Sequence, residues 1–170
     1  GAVAGLCLTT EANLGDGIFP AVDYLAQGGR MGIGSDSHVS LSVVEELRWL
    51  EYGQRLRDQR RNRLYRSDQP MVGRTLYDAA VAGGAQAMGQ PVAGLAVGQR
   101  ADWLVLDGND PYLATAQEDG ILNRWLFAGG DRQVRDVVVN GQWVVRDGRH
   151  ADEDVSSRDF TRVLKELLGE

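Results

Sequence analysis

Two short apolar runs without polar alternation frame the first part of the chain. Residues 2–8 carry only small and medium apolar side chains, and residues 30–35 hold a second run that stops on Asp36. Runs of this kind predict short strands covered on both faces. Between them Phe19, Val22 and Leu25 recur at helical spacing and Gly28-Gly29 ends the segment, which predicts a helix over residues 18–26. The order strand, helix, strand predicts two adjacent parallel strands with the helix on one face, because a parallel pair needs a crossover. Residues 9–17, polar and rich in glycine, read as the loop after the first strand. A long helix is expected over residues 42–63 and an alanine-rich one over residues 75–88.

The second half changes period. Valine-rich strands over residues 134–140 and 143–146 flank Asn140-Gly141, the signature of a two-residue hairpin of the I′ kind. A last helix is expected to start at Ser156 or Ser157, with Ser156 and Asp159 in a spacing like that of a capping box. Its apolar stripe of Phe160, Val163, Leu164, Leu167 and Leu168 is expected to dock on the body. Turn formers mark loops at residues 67–70, 89–91, 108–111 and 146–154.

Parallel sheets place their chemistry at the carboxyl ends of the strands. Asp36, in Gly34-Ser35-Asp36-Ser37-His38, stands at such an end, and so do Thr10, Glu11 and Asn13. An acid held there either binds a metal and takes a proton from the metal's water, or caps the helix that follows. In the first case the Ser37 hydroxyl is expected to orient the Asp36 carboxylate. Glu11 and Asn13 either line a pocket or fix the turn. His38 either hydrogen-bonds within its loop or contacts substrate, while His150, in a polar turn, is expected to face solvent. Cys7 is the only cysteine, which excludes an intrachain disulfide and a cysteine-cluster zinc site. It reads as a buried small hydrophobe.

The pair Thr9-Thr10-Glu11-Ala12-Asn13-Leu14-Gly15-Asp16-Gly17 and Gly32-Ile33-Gly34-Ser35-Asp36-Ser37-His38, the latter leading into Val43-Val44-Glu45-Glu46-Leu47-Arg48, resembles the last two strand-loop units of the amidohydrolase superfamily. The likeness is greatest to its deiminases of N-formimidoyl-L-glutamate. Leu8 departs from it, standing where proline is expected after the cysteine. The resemblance implies an α/β fold. It would comprise the last two strand-helix units of a metal-dependent hydrolase (β/α)8 barrel over residues 1–92, the carboxyl-terminal part of a small β-sandwich over residues 93–150, and a terminal helix over residues 151–170. The stretch from Gly94 to Asp107 resembles the superfamily's exit from barrel to sandwich. It also implies zinc, or another divalent metal, with Asp36 as both metal ligand and catalytic base. The reaction implied is hydrolysis of the C=N bond of N-formimidoyl-L-glutamate to N-formyl-L-glutamate and ammonia in histidine catabolism. Two alternatives stay open: another aminohydrolase of the superfamily, a guanine- or adenosine-type deaminase or a chlorohydrolase, and a non-catalytic relative acting in assembly.

Composition narrows the partners. The net charge of −6 disfavours general nucleic-acid binding, although Arg55, Arg57, Arg60, Arg61, Arg63 and Arg66 fall close together, as a solvated face or an intersubunit contact. No apolar run approaches the ~20 residues that span a bilayer and no charged-then-apolar leader opens the chain, so no membrane partner and a cytoplasmic location are expected. Two strand-helix units cannot close an eight-stranded barrel, and the histidine pair of the superfamily's metal site is absent. The chain is therefore expected to be an inactive portion by itself, needing the remainder of the barrel from the same or a companion chain. Its free sheet edges favour a homo-oligomer.

Overall fold

A computed structural model describes residues 1–90 and 94–169. The expected division between residues 92 and 93, and the end of the loop at residues 89–91, lie outside the described residues.

The chain opens with strand β1 (Ala4–Leu6), helix α1 (Leu8–Leu14), helix α2 (Ala21–Ala26) and strand β2 (Met31–Ile33). β1 and β2 pair in parallel, with Ala4 opposite Met31 and Leu6 opposite Ile33, as the two apolar runs predict. Helix α3 (Val43–Asp58) follows, started by Ser42, whose side chain accepts from the Glu45 amide. Val44, Leu47 and Leu50 on one face of α3 are fully buried. The helix stops five residues before its expected end because Gln59 turns left-handed and the chain doubles back on the buried Glu51 carboxylate.

Residues 9–17 depart from expectation: most of the anticipated loop is helix α1. Its polar residues serve its own ends. Glu11 accepts from the Cys7 amide at 2.8 Å, and Gly15, at φ 77°, lets the amides of Gly15 and Asp16 return to the Glu11 carbonyl.

Helix α4 (Val72–Ala87) lies across β2, and helix α5 (Gly120–Ala128) packs on α3 and α4. α5 carries the buried Trp125 and Leu126 into a core shared with Leu6, Met31, Leu47, Leu50 and Leu76. The second sheet is antiparallel in the order β3 (Trp103–Leu106), β4 (Val134–Val139), β5 (Gln142–Arg146), β6 (Arg149–His150). Asn140 and Gly141, both at positive φ, form the two-residue turn between β4 and β5, which bears out the hairpin.

The terminal helix departs twice. Helix α6 runs from Glu153 to Leu168 with Asp152 at its N-cap, so it starts three residues early and Ser156–Asp159 forms no cap. Glu153 and Asp154 in its first turn favour this start through the helix dipole. Nor does it dock: no described residue of α6 is buried. At its start Arg149 reaches Glu153 and Asp154 in exposed ion pairs, and its apolar stripe stays in solvent.

Candidate active site

The two parallel strands end level with each other, so the segments that leave them meet. The Gly34 amide extends the pairing by donating to the Leu6 carbonyl at 3.0 Å, and the Cys7 sulfur lies beside Gly34. Beyond this point residues 35–38 make a tight turn, closed by the His38 amide donating to the Ser35 carbonyl at 3.1 Å. Asp36 occupies the turn at φ 49°. Left-handed backbone is uncommon for any residue with a Cβ, but aspartate is among those that tolerate it.

Asp36 is exposed at the carboxyl end of β2, where the strand pattern placed it. Among the described residues its carboxylate receives no hydrogen bond, and no group of three or more His, Cys, Asp or Glu side chains stands close enough to hold a metal ion. The carboxylate is not caught as a helix cap either, since Ser42 fills that position for α3. One free carboxylate suits a zinc site as a single oxygen ligand, and such sites need three or four ligands. The described residues therefore fit the metal only as one contributor among several.

The expected role of Ser37 is not seen. Ser37 is exposed and its hydroxyl makes no hydrogen bond among the described residues. The turn is instead gripped from α1. Thr10, almost fully buried, donates to the Ser35 carbonyl at 2.6 Å and accepts from the His38 amide at 3.0 Å. The neighbouring Thr9 gives both its amide, at 3.2 Å, and its hydroxyl to the buried Glu46 carboxylate on α3. Sequence reasoning placed Thr10 at the strand end without this role, and no residue pattern pointed to Glu46.

His38 takes the loop role. Its Nδ1 lies 2.8 Å from the Ser40 hydroxyl and 3.2 Å from the Ser40 amide. An amide only donates, so Nδ1 is the acceptor and a neutral ring carries its hydrogen on Nε2. Glu11 serves the start of α1, while Asn13 lines a cleft of about 440 Å³ with Thr9, Ala12, His38, Ser40, Glu45 and Trp49. Asp36 is not part of that cleft's lining. Cys7 is half-buried rather than fully enclosed. Its thiol is pushed above its ordinary pKa by desolvation first and then by the negative charges of Asp36, Glu46 and Glu11.

His150 is exposed on β6. Within the arginine cluster Arg55 pairs with Glu51, Arg57 and Arg63 share Asp58, and Arg66 pairs with Asp68, so three carboxylates offset half of the six guanidinium charges. No helix among the described residues is long and apolar enough to cross a membrane.

The Amidohydrolase family model matches residues 2–144, and the chain belongs to that family. It is 82% identical over 168 residues to a formimidoylglutamate deiminase of Pseudomonas aeruginosa, covering 99% of this chain and 37% of that protein. It is 31% identical over 167 residues to a 5-methylthioadenosine/S-adenosylhomocysteine deaminase of Desulforudis audaxviator, covering 94% and 36%. Among solved structures, an amidohydrolase from Brucella melitensis matches with a TM-score of 0.91 at 47% identity, over 99% of this chain and 37% of that one. A zinc-bound adenosine deaminase from Xanthomonas campestris shares the fold with a TM-score of 0.77 at 22% identity, over 95% and 38%. The chain thus spans a little over a third of the length of these relatives.

Proposed function

We propose that the chain is the carboxyl-terminal portion of a formimidoylglutamate deiminase, supplying the last two strand-helix units of its barrel, part of its β-sandwich and a terminal helix. The whole enzyme adds water to the C=N bond of N-formimidoyl-L-glutamate and releases N-formyl-L-glutamate and ammonia. The observation that carries this is the 82% identity to the P. aeruginosa deiminase along nearly the whole chain. The zinc named for the X. campestris structure supports a divalent metal in the complete site.

In this reading Asp36 has two roles at one place. Its carboxylate would supply one oxygen ligand to zinc, with the other ligands coming from the rest of the enzyme. Bound zinc would lower the pKa of its water to about 7. Asp36 would take one proton from the attacking water as the C–O bond forms and pass it to the substrate nitrogen, and the proton left on the new hydroxyl would follow to the same nitrogen as the C–N bond breaks, leaving the formyl C=O and ammonia. Proton transfer by a positioned group contributes typically ~10²–10⁴-fold. With no hydrogen-bond donor holding it among the described residues, the carboxylate is free for both tasks. Its turn follows the carboxyl end of β2, and Ser42 rather than Asp36 caps α3.

The test is ammonia release by the longer polypeptide that contains this chain, loaded with zinc. N-formimidoyl-L-glutamate, 5′-methylthioadenosine and S-adenosylhomocysteine are offered separately. Turnover of the first alone is expected. Turnover of a nucleoside instead would move the protein to the second group of relatives, and no turnover of any would favour the non-catalytic alternative.

A further inference from the structure

Thr10 is the one side chain among the described residues that hydrogen-bonds to both ends of the turn carrying Asp36. Its hydroxyl donates to the Ser35 carbonyl at 2.6 Å and accepts from the His38 amide at 3.0 Å, so the residues on either side of Asp36-Ser37 hang on a single oxygen atom. That oxygen is not a surface group: Thr10 is 3% exposed. It belongs to α1, itself fixed to α3 through Thr9 and Glu46 and to its own start through Glu11 and Cys7. The turn, by contrast, has no comparable support of its own. Asp36 and Ser37 are exposed, and neither side chain has a hydrogen bond among the described residues.

We infer that Thr10 is a positioning residue for the Asp36 carboxylate, setting the placement of that group toward metal and substrate from the preceding strand-loop unit. This rests on the deiminase reading above. The physical case is one of leverage. Catalytic groups must be held close to their productive geometry, and small misplacements cost large factors in rate. Aspartate tolerates a φ of 49°, so the backbone conformation by itself does not decide where the turn sits against β1; its anchoring does. Thr10 provides that anchoring from a rigid helix. The Ser35–His38 hydrogen bond alone closes the turn but does not locate it against β1.

Two variants of the longer polypeptide separate positioning from folding. Thr10→Val keeps the shape and leaves Ser35 and His38 bonded to each other, so no buried amide is stranded and the fold is expected to survive. Thr10→Ser keeps the hydroxyl. Zinc affinity, measured by competition with a chelator in the absence of substrate, is expected to fall roughly 10–100-fold in Thr10→Val, the usual loss when support behind a metal ligand is removed. kcat should fall with it while KM changes little, and Thr10→Ser should stay close to the parent in both. A merely structural role would lower the melting temperature of Thr10→Val but leave zinc affinity and kcat per bound zinc unchanged, which overturns the inference. So would a Thr10→Ser variant as impaired as Thr10→Val. If the parent protein is inactive on N-formimidoyl-L-glutamate while zinc affinity still separates the two variants, the deiminase reading fails and the role of Thr10 stands.

Discussion

Gly83 of α4 presses directly on Met31 of β2: a Cβ placed on Gly83 would overlap the Met31 carbonyl oxygen. The contact continues at Gly32, where an added Cβ would lie 3.5 Å from the Cα of Gly84. Helix backbone thus rests on strand backbone, which is why β2 can be so short and still be covered. Gly83→Ala should gain about 1 kcal/mol of helix propensity but lose more to overpacking, which typically costs ~1–3 kcal/mol and here meets backbone that cannot step aside. Gly84→Ala, whose Cβ would meet nothing within 4 Å, should be neutral or stabilising. Denaturant melts of the two variants should move in opposite directions. A Gly83→Ala protein as stable as its parent would show that α4 does not sit this close.

Glu51 is fully buried and accepts from the amides of Arg63 and Leu64, both at 2.9 Å, while Arg55 pairs with it at 2.6 Å. It ties the segment after α3 back onto the helix. Glu51→Gln keeps the size but turns an amide donor toward groups that are all donors, so a loss on the order of 3 kcal/mol is expected. Arg55→Ala should cost less, because Arg55 is partly exposed and the two amides remain satisfied. Equal losses in chemical unfolding would refute this ranking.

Much of the layout is legible in the residues, for a local reason. Unalternating apolar runs specify β1 and β2, and Asn140-Gly141 specifies its turn because few other residues accept two positive φ values in succession. Asp36 is legible as well, since a strand that stops on an acid is a pattern in one dimension. What the sequence hides is the use of polar side chains over distance. Thr9, Thr10 and Glu11 read as a loop because threonine and glutamate carry little apolar signal, yet each bonds a backbone or carboxylate group that makes α1 and its neighbours cohere. The pairing of Glu46 with Thr9 spans 37 residues and leaves no local trace. α5 is a different case: Ile121, Leu122, Trp125 and Leu126 do recur at helical spacing, but over only nine residues, too short a run to stand out from the irregular chain around it.

Asp58 gives a pH prediction with a definite sign. Hydrogen bonds from Arg57 and Arg63 pull its carboxyl down to a pKa of about 2, against about 3.9 in an unfolded chain. A depressed carboxyl pKa stabilises the fold above the unfolded value, and that contribution is lost as pH falls through the folded one. The stability difference between parent and Asp58→Asn should therefore be constant near neutral pH and shrink between about pH 4 and pH 2. Melts across that range that show a constant difference would remove the ion pair from the account.

Asp36→Asn tests the chemistry without disturbing the turn. Asparagine accepts left-handed backbone at least as well as aspartate, so the φ of 49° at this position should be retained. The side chain keeps its size and can still offer an oxygen, but it has lost its charge and its ability to take a proton. In the zinc-loaded longer polypeptide kcat should fall on the order of 10³-fold or more, equivalent to roughly 4 kcal/mol of transition-state stabilisation. Ser37→Ala is the companion variant. Its hydroxyl makes no hydrogen bond among the described residues, so kcat should stay near that of the parent, whereas a hydroxyl that oriented the carboxylate would cost roughly 10–100-fold. Measuring kcat, bound zinc and melting temperature for both variants decides the matter. If Asp36→Asn retains zinc and near-normal kcat but melts at a lower temperature, Asp36 is a turn residue and its catalytic assignment is wrong.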